Sequence, residues 1–233
     1  MKKGYNIIGD IAGQYKTLLA LLEKMPKEST PVSVGDMVDR GPSSKLVLDF
    51  FRDNGKAILG NHEHMMISTY RKSKYYDSGV WFMNGGRATM ESFGSPITFE
   101  NIPIETIEWL ESLPLFLKFK DVGPFGLKGF ISHAIKRPDW SLETACKLGP
   151  SAYSSLGEDS IIWNRGSPRR MRAYYQICGH NSHWGLERFK DKAGEYGICI
   201  DTSRSKIMTG IHWPSGEIFQ QEFVDETDGA PNE

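Results

Sequence analysis

Five residues that can bind a divalent cation each follow a short apolar run: Asp10, Asp36, Asn61, His133 and His180. A glycine comes directly before four of the five. Ligands collect beyond the carboxyl ends of strands in α/β sheets, so we expect these side chains to converge on one point. Oxygen and imidazole donors together favour manganese, iron or zinc over calcium. Each residue alone has an ordinary explanation as a cap, a turn or a packed histidine, and only the repetition favours a metal centre.

The segment 35–41 carries the densest set of reactive groups. Its sequence, Gly-Asp-Met-Val-Asp-Arg-Gly, follows an apolar run and contains two carboxylates and a guanidinium. Asp36 at the tip of the preceding strand is placed to touch two cations at once. Asp39 can orient a proton carrier, and the fork of Arg40 can hold a phosphate. Taken alone, the segment also fits an ordinary surface turn with solvated charges.

These groups need strands and helices that bring them to one edge of a sheet. Strands are predicted at residues 5–8, 31–34 and 56–59, and leucines at helical spacing predict an amphipathic helix over residues 14–24. Another helix is predicted to begin at Pro42. This alternation is typical of successive βα units in a layered α/β sheet.

The rest of the chain is less regular. Residues 64–128 are interpreted as helical packing over one side of the sheet, and residues 134–160 as loop and helix. Further strands are predicted at residues 129–132, 174–178, 197–201, 206–212 and 217–223, the last three as an antiparallel meander. We interpret residues 1–224 as a single domain and residues 225–233 as a flexible acidic tail.

The composition argues against several classes of protein. With 233 residues and a net charge of −1, the chain has no basic surplus for a nucleic acid backbone or an anionic membrane. No apolar segment reaches the length of a membrane span or a signal peptide. The cysteines, Cys146, Cys178 and Cys199, are odd in number and lack a CxxC pair, which indicates reduced thiols. We therefore expect a cytoplasmic protein; its oligomeric state stays open.

The spaced motifs resemble those of the phosphoprotein phosphatase (PPP) branch of the binuclear metallophosphoesterases. The matching segments are Gly9-Asp10, the segment 35–41, Gly60-Asn61-His62-Glu63, His133 and Gly179-His180. That branch includes small bacterial and phage serine/threonine phosphatases and symmetrical diadenosine tetraphosphate hydrolases. The resemblance implies a mixed α/β (α+β) fold of the calcineurin-like type, with a central β-sandwich of mixed sheets flanked by helices and two metals at one edge.

The resemblance also implies a role for each matching residue. Asp10 and Asp36 would bind a first metal, and Asp36, Asn61, His133 and His180 a second metal. Mn²⁺ is the expected ion at both sites, with iron or zinc as alternatives. His62 would be the general acid that protonates the leaving oxygen, oriented by Asp39. The substrate phosphate would be bound by Arg40, Arg165 and Asn61.

One position departs from the family pattern. The first motif of the family is GD-x-H-G, whereas this chain has Ala12 in place of the histidine. The first metal would then keep only two carboxylates from the protein. A weakly held metal, substitution by Gln14 or His64, and an inactivating change are the three explanations that the sequence leaves open.

Three hypotheses for the function follow. The first is a metal-dependent phosphatase that hydrolyses phosphate monoesters, on phosphoserine, phosphothreonine or phosphotyrosine protein, by attack of a metal-bound hydroxide. The first alternative is a symmetrical dinucleoside polyphosphate hydrolase of the Ap4A type. The second alternative is a catalytically impaired protein that binds metal or phosphate, owing to Ala12. The expected partner is a phosphorylated protein or a small phosphoester substrate.

Other polar and aromatic residues are interpreted as structural. A short basic run, Arg169, Arg170 and Arg172, is read as a solvated loop in preference to a site for extra phosphates. The histidines outside the motifs are interpreted as surface or packing residues: His64, His183 and His212. The six tryptophans lack the periodicity of a base-stacking platform.

Overall fold

The computed structural model describes residues 4–72, 78–95, 98–136 and 160–226. Its strands are β1 Tyr5–Ile8, β2 Thr30–Ser33, β3 Lys56–Ala57, β4 Phe116–Val122, β5 Lys128–Ser132, β6 Tyr174–Cys178, β7 Glu187–Asp191, β8 Gly194–Cys199, β9 Ile207–Trp213 and β10 Glu217–Glu222. Its α-helices are α1 Tyr15–Lys24, α2 Ser44–Asn54, α3 Asn61–Tyr70, α4 Ser78–Trp81, α5 Arg87–Ser92 and α6 Ile104–Ser112. The loop and helix expected at 134–160 fall almost entirely outside the described residues.

The described strands form two mixed sheets. One has the order β10-β9-β1-β2-β3, and the other has the order β4-β5-β6-β8-β7. In the first sheet β1, β2 and β3 are parallel, and in the second β5, β6 and β8 are parallel. The carboxyl ends of parallel neighbours meet at the same edge, so the loops that follow these strands lie together. The predicted β-sandwich of mixed sheets flanked by helices is confirmed.

The space between the two sheets is filled by branched aliphatic side chains. Ile7 and Val32 from the first sheet and Ile131 and Ile177 from the second are fully buried in one cluster. Such residues suit parallel strands that are covered on both faces. The opposite face of the first sheet packs against α1 and α2, for example through Leu18. Both faces of the central strands are therefore anchored, which fixes the loops at their carboxyl ends.

The predicted C-terminal meander is wrong in one strand. β9 and β10 pair antiparallel as predicted, but β8 pairs parallel with β6 in the other sheet. Tyr196, Ile198 and Cys199 of β8 are all buried. A strand buried on both faces has the same apolar pattern in either sheet, so the pattern could not assign it.

Two edge strands were not predicted. β4 and β7 lie at the two edges of the second sheet and carry mostly exposed residues, with the sequences FLKFKDV and ERFKD. Charged side chains are common on edge strands because they oppose pairing with another chain. They also hide the alternating apolar pattern. Residues 64–128, interpreted as helical packing, therefore contain α4, α5 and α6 but also β4.

The C-terminal residues that are described are tied to the domain. The Glu226 carboxylate accepts hydrogen bonds from the Lys16 N–H at 2.9 Å and the Ser43 hydroxyl at 3.2 Å. Residues 227–233 lie outside the described part of the chain, so the flexible tail stays a prediction. Among the described residues no helix combines the length and the apolar character that a membrane crossing requires.

Candidate metal centre and active site

Four of the five predicted ligands meet at the shared edge of the two sheets. The Asn61 Oδ1 atom lies 2.8 Å from His133 Nε2 and 2.9 Å from His180 Nδ1. The Asp36 Oδ1 atom lies 3.2 Å from the same nitrogen of His133. The ligand atoms of Asp36, His133 and His180 all fall within 4.8 Å of one another. Donors from both sheets and from the first residue of α3 thus surround one point.

Glycine permits this close approach of loops. Gly35 has a φ of 95°, and a Cβ atom there would lie 2.7 Å from the Gly60 nitrogen and 2.9 Å from His133 Nδ1. A side chain at this position would therefore push apart the loops that carry Asp36 and Asn61. Asp36 itself has a φ of 51°. The left-handed backbone turns its carboxylate toward the histidines, at a cost that the surrounding packing must offset.

The hydrogen bonds of the two histidines fit metal ligation. His133 Nδ1 contacts the Val34 carbonyl oxygen at 2.9 Å, and His180 Nε2 contacts the Trp163 carbonyl oxygen at 3.2 Å. A ligating histidine characteristically donates its far N–H in this way. Burial, with the charges of His133 and Arg165, lowers the pKa of His180 to about 3. With the single N–H of the neutral ring assigned to Nε2, where it donates to Trp163, Nδ1 presents a lone pair to Asn61 Oδ1, which is also an acceptor. A cation at this point would satisfy both atoms.

Charge in the cluster is balanced around Asp36. Burial opposes ionisation of its carboxyl, but the neighbouring His133 and His62 outweigh burial and lower the Asp36 pKa well below its usual range. Burial likewise opposes protonation of His133, yet the Asp36 carboxylate raises the pKa of that ring. One carboxylate, one amide oxygen and two imidazoles form a donor set that suits manganese, iron or zinc.

Asp10, the fifth predicted ligand, lies beside this cluster. Both of its carboxylate oxygens accept the His180 backbone N–H, at 3.1 and 3.2 Å. Burial raises the pKa of Asp10 well above its usual range, and the negative charges of Asp201 and Asp36 raise it further. Ala12 presents only its backbone here: its N–H donates to the Asp36 carbonyl oxygen at 2.8 Å. Asp10, Asp36 and Asp201 contribute negative charge on this side of the site, and Ala12 contributes no imidazole to offset it.

The predicted catalytic pair is in contact. His62 Nδ1 lies 2.5 Å from Asp39 Oδ2, and His62 Nε2 lies 3.1 Å from Arg40 Nη2. Burial disfavours the charged ring, but Asp36 and Asp39 outweigh it and raise the His62 pKa above its usual value. With Nδ1–H donated to Asp39, the other ring nitrogen points toward Arg40. Arg40 is exposed and is free to turn toward a bound phosphate.

Arg165 lies at the rim and does not contact the four clustered donors. Its side chain is exposed and donates to Asn181 Oδ1 at 3.3 Å. Both residues line a polar cavity of about 330 Å³ that also includes Ser167 and His183. Asn181 directly follows His180, so this cavity adjoins the loop that carries one of the clustered donors.

Sequence reasoning assigned no role to three buried residues that hold the site. The Glu63 carboxylate accepts the backbone N–H groups of Gly60 and Asp36, each at 2.9 Å, and so ties two ligand loops together. Trp81 and Thr89 donate to Asp39. Glu63 was visible as the last residue of Gly60-Asn61-His62-Glu63. No local signal marks the other two, since they lie far from Asp39 along the chain.

The other discounted residues have structural contacts. Arg170 forms an ion pair with Asp191 at 2.7 Å, and His183 Nε2 lies 2.7 Å from a Glu187 carboxylate oxygen. His212 Nδ1 lies 2.7 Å from the Ser215 hydroxyl. His64 is fully buried within α3.

A family model described as calcineurin-like phosphoesterase matches residues 6–189. The chain belongs to this family. The match spans all the motif residues, from Asp10 to His180. Members of the family use divalent metals, which agrees with the donor cluster found here.

Several curated relatives of this metallophosphoesterase share one name. This chain is 35% identical over 145 residues to the symmetrical bis(5'-nucleosyl)-tetraphosphatase of Photorhabdus laumondii. The alignment covers 60% of this chain and 46% of the relative. The chain is 27% identical over 187 residues to the protein of that name from Shewanella sediminis, covering 78% and 61%. The chain thus spans about half to three-fifths of the length of these curated relatives.

Solved structures share the fold at low identity. A protein provisionally named a diadenosine tetraphosphatase superposes with a TM-score of 0.64 at 18% identity, covering 97% of this chain and 96% of that one. The cold-active protein-tyrosine phosphatase of a Shewanella species gives 0.59 at 19% identity, covering 94% and 80%. These likenesses support the fold alone.

Proposed function

We propose that this metallophosphoesterase is a symmetrical dinucleoside polyphosphate hydrolase. The observation that carries a hydrolytic role is the meeting of Asp36, Asn61, His133 and His180 beside the Asp39–His62 pair. The curated relatives, named symmetrical tetraphosphatases, favour this substrate class over the phosphoprotein that the sequence analysis put first.

The residues have the following roles in the proposal. Asp36, Asn61, His133 and His180 would hold the second metal, and Asp10 with Asp36 would hold the first. Mn²⁺ is the ion we expect. When bound, such cations polarise the phosphoryl group and lower the pKa of an attacking water.

The chain's own groups then act on the substrate. His62, held through Nδ1 by Asp39, delivers a proton from Nε2 to the leaving oxygen. Arg40, which borders that nitrogen, turns to the phosphoryl group and offsets the charge that develops on its oxygens. Arg165 and the polar cavity behind it take the phosphates or ribose beyond the cleaved bond. A dinucleoside polyphosphate has such groups, and a phosphomonoester of a protein side chain does not.

Hydrolysis of phosphomonoesters remains the second candidate, because one observation favours it. A serine or threonine alkoxide is a strongly basic leaving group and depends fully on a proton donor, whereas a nucleoside diphosphate is a weaker base and gains less from one. The buried Asp39–His62 pair is the device that such a substrate requires. Metal or phosphate binding without turnover, owing to Ala12, is the remaining alternative.

Assays with excess Mn²⁺ separate these candidates. Diadenosine tetraphosphate should be converted to ADP, two molecules for each substrate molecule, with kcat/KM well above that for p-nitrophenyl phosphate and a phosphoserine peptide. A higher kcat/KM for the phosphopeptide would establish the second candidate. If the parent chain binds Mn²⁺ but hydrolyses none of the three substrates, the third candidate, binding without turnover, would be established. Asp36→Asn serves as the inactive control in each assay.

A further inference from the structure

Three donors make four contacts with the carboxylate of Asp39 and fix its orientation. The Trp81 indole N–H lies 3.1 Å from Oδ1 and 3.0 Å from Oδ2. The Thr89 hydroxyl donates to Oδ1 at 2.6 Å, and His62 Nδ1 lies on Oδ2 at 2.5 Å. Asp39, Trp81 and Thr89 are all fully buried. A carboxylate held at both oxygens cannot rotate. It therefore accepts the His62 Nδ1–H along one direction and fixes the orientation of the ring.

Thr89 also holds the backbone of Asp39. Its oxygen accepts the Asp39 N–H at 2.8 Å while its own proton goes to the carboxylate of the same residue. Asp39 and Arg40 have φ values of 74° and 63°, so this loop adopts a left-handed backbone that side chains rarely take up. Such a conformation persists only where its surroundings over-determine it.

The helical segment that carries these donors is shaped to fit the loop. A π-helical turn at Phe82–Gly86 separates α4 from α5 and is broken at Gly85, which has a φ of 107°. The Gly85 carbonyl oxygen accepts the Arg40 N–H at 3.3 Å. A Cβ atom on Gly85 would lie 2.7 Å from that nitrogen, and one on Gly86 would lie 2.5 Å from the Trp81 ring. The two glycines let the segment lie directly against the loop.

We propose that Trp81 and Thr89 are positioning residues for the proton-donating pair: they hold the Asp39 carboxylate in the orientation that aims His62 at the leaving oxygen. This inference rests on the proposed function, because His62 donates a proton only if the chain hydrolyses a phosphoester. It predicts that loss of either donor harms proton delivery while metal binding and phosphate binding persist.

Conservative variants isolate each donor. Trp81→Phe removes the indole N–H and keeps an aromatic ring. Thr89→Val removes the hydroxyl at nearly constant volume, and Thr89→Ser restores it. Trp213→Phe is the matched control, since Trp213 is also fully buried and its indole donates to the Asp121 carbonyl oxygen at 3.2 Å. Trp213 pairs with Tyr5 at the amino end of β1, away from the cluster.

The measurement is the dependence of kcat on the leaving group. Phenyl phosphate needs a proton on its departing oxygen far more than p-nitrophenyl phosphate does. A general acid contributes about 10²- to 10⁴-fold, so we expect Trp81→Phe and Thr89→Val to lose about 10-fold or more on phenyl phosphate. The loss on p-nitrophenyl phosphate should be several-fold smaller, with KM and the Mn²⁺ dependence unchanged. Thr89→Ser and Trp213→Phe should keep the ratio that the parent shows between kcat on p-nitrophenyl phosphate and kcat on phenyl phosphate. Equal losses on both substrates, or a parent ratio in Trp81→Phe, would overturn the inference.

A second readout needs neither metal nor turnover. In the metal-free protein labelled with ¹⁵N-histidine, the His62 Nδ1 proton on Asp39 should give a protected downfield NMR resonance. We expect Trp81→Phe and Thr89→Val to shift it and speed its exchange with water, while Thr89→Ser and Trp213→Phe leave it in place. An unchanged resonance in both of the first two variants would overturn the inference. A parent protein inactive on all phosphoesters would instead refute the proposed function, and this spectrum would still test the contact.

Discussion

The two halves of the candidate metal centre share Asp36 but differ in their charge. In the second-metal half, Asn61 contacts both His133 and His180, His133 also contacts Asp36, and two imidazoles accompany one carboxylate. In the first-metal half, the negative charges of Asp36 and Asp201 act on Asp10, and Ala12 supplies no side-chain donor. The pKa of Asp36 is accordingly lowered, while the pKa of Asp10 is raised.

This difference shows how much of a metal site a protein can build before the metal arrives. The donor atoms of the second-metal half already lie together, with the His133 and His180 rings held by backbone carbonyl oxygens. The first-metal half retains uncompensated negative charge, which only a cation or a proton can relieve. We therefore expect the second site to bind Mn²⁺ more tightly than the first.

The largest effect is expected from a substitution that removes a ligand from both halves of the site. Asp36→Asn should lower kcat/KM by at least about 100-fold, because loss of an outer contact to a metal ligand already costs about 10- to 100-fold. Asp10→Asn removes a ligand from one half only and should cost less at saturating Mn²⁺. Asp49→Asn, at a surface ion pair with Lys45, is the matched control. If Asp36→Asn hydrolyses the substrate as the parent does, Asp36 binds no catalytic metal.

A second effect tests the pair beside the second-metal half. Protonated His62 is the active form, and its pKa is raised, so activity should persist through neutral pH and fall as the pH rises above that pKa. Asp39→Asn removes one of the charges that raise it. The alkaline limb of the kcat profile should then move to lower pH by about one unit, the usual effect of a nearby carboxylate. The profile is measured with phenyl phosphate. If the alkaline limb of Asp39→Asn stays where the parent has it, that limb reports the titration of a group other than His62.

A third, smaller effect is expected from a substitution that adds a ligand to the first-metal half. Ala12→His should lower the Mn²⁺ concentration for half-maximal activity by about 10-fold, the scale of a single supporting contact. Ala12 has a φ of 48°, a backbone region in which histidine is enriched. Ala12→Gly, which relieves the same backbone without adding a ligand, should behave like the parent. If Ala12→His also behaves like the parent, another ligand already fills the gap.

The smallest effect is thermal. Mn²⁺ at about 100 times its Kd should stabilise the fold by about 2.7 kcal/mol, since it binds only the folded chain. For a protein of this size that corresponds to a rise in Tm of about 5 to 10 °C. Calorimetry should show most of this rise retained in Asp10→Asn and lost in Asp36→Asn. Equal losses in both variants would mean that the two halves bind metal as one unit.

Much of the fold could be predicted because its signals are local. The apolar runs of β1 and β2 and the leucines of α1 appear where the structure places them, within one or two residues. β8 was assigned to the wrong sheet because burial on both faces removes the alternation that distinguishes partners. The edge strands β4 and β7 were missed because most of their side chains are exposed to solvent. Polar and charged residues at those positions hide the alternating apolar pattern of a strand.

By itself the sequence determined which donors are present, where glycine allows sharp turns, and that Ala12 supplies no ligand. These depend on side-chain chemistry and on backbone sterics, which each residue carries with it. Only the tertiary structure decided that His133 and His180 share Asn61 and that Glu63 ties two loops together. It also decided that Trp81 and Thr89 reach Asp39 from 42 and 50 residues away. Contacts of that kind arise when distant segments are buried together, and no pattern along the chain records which buried groups will meet.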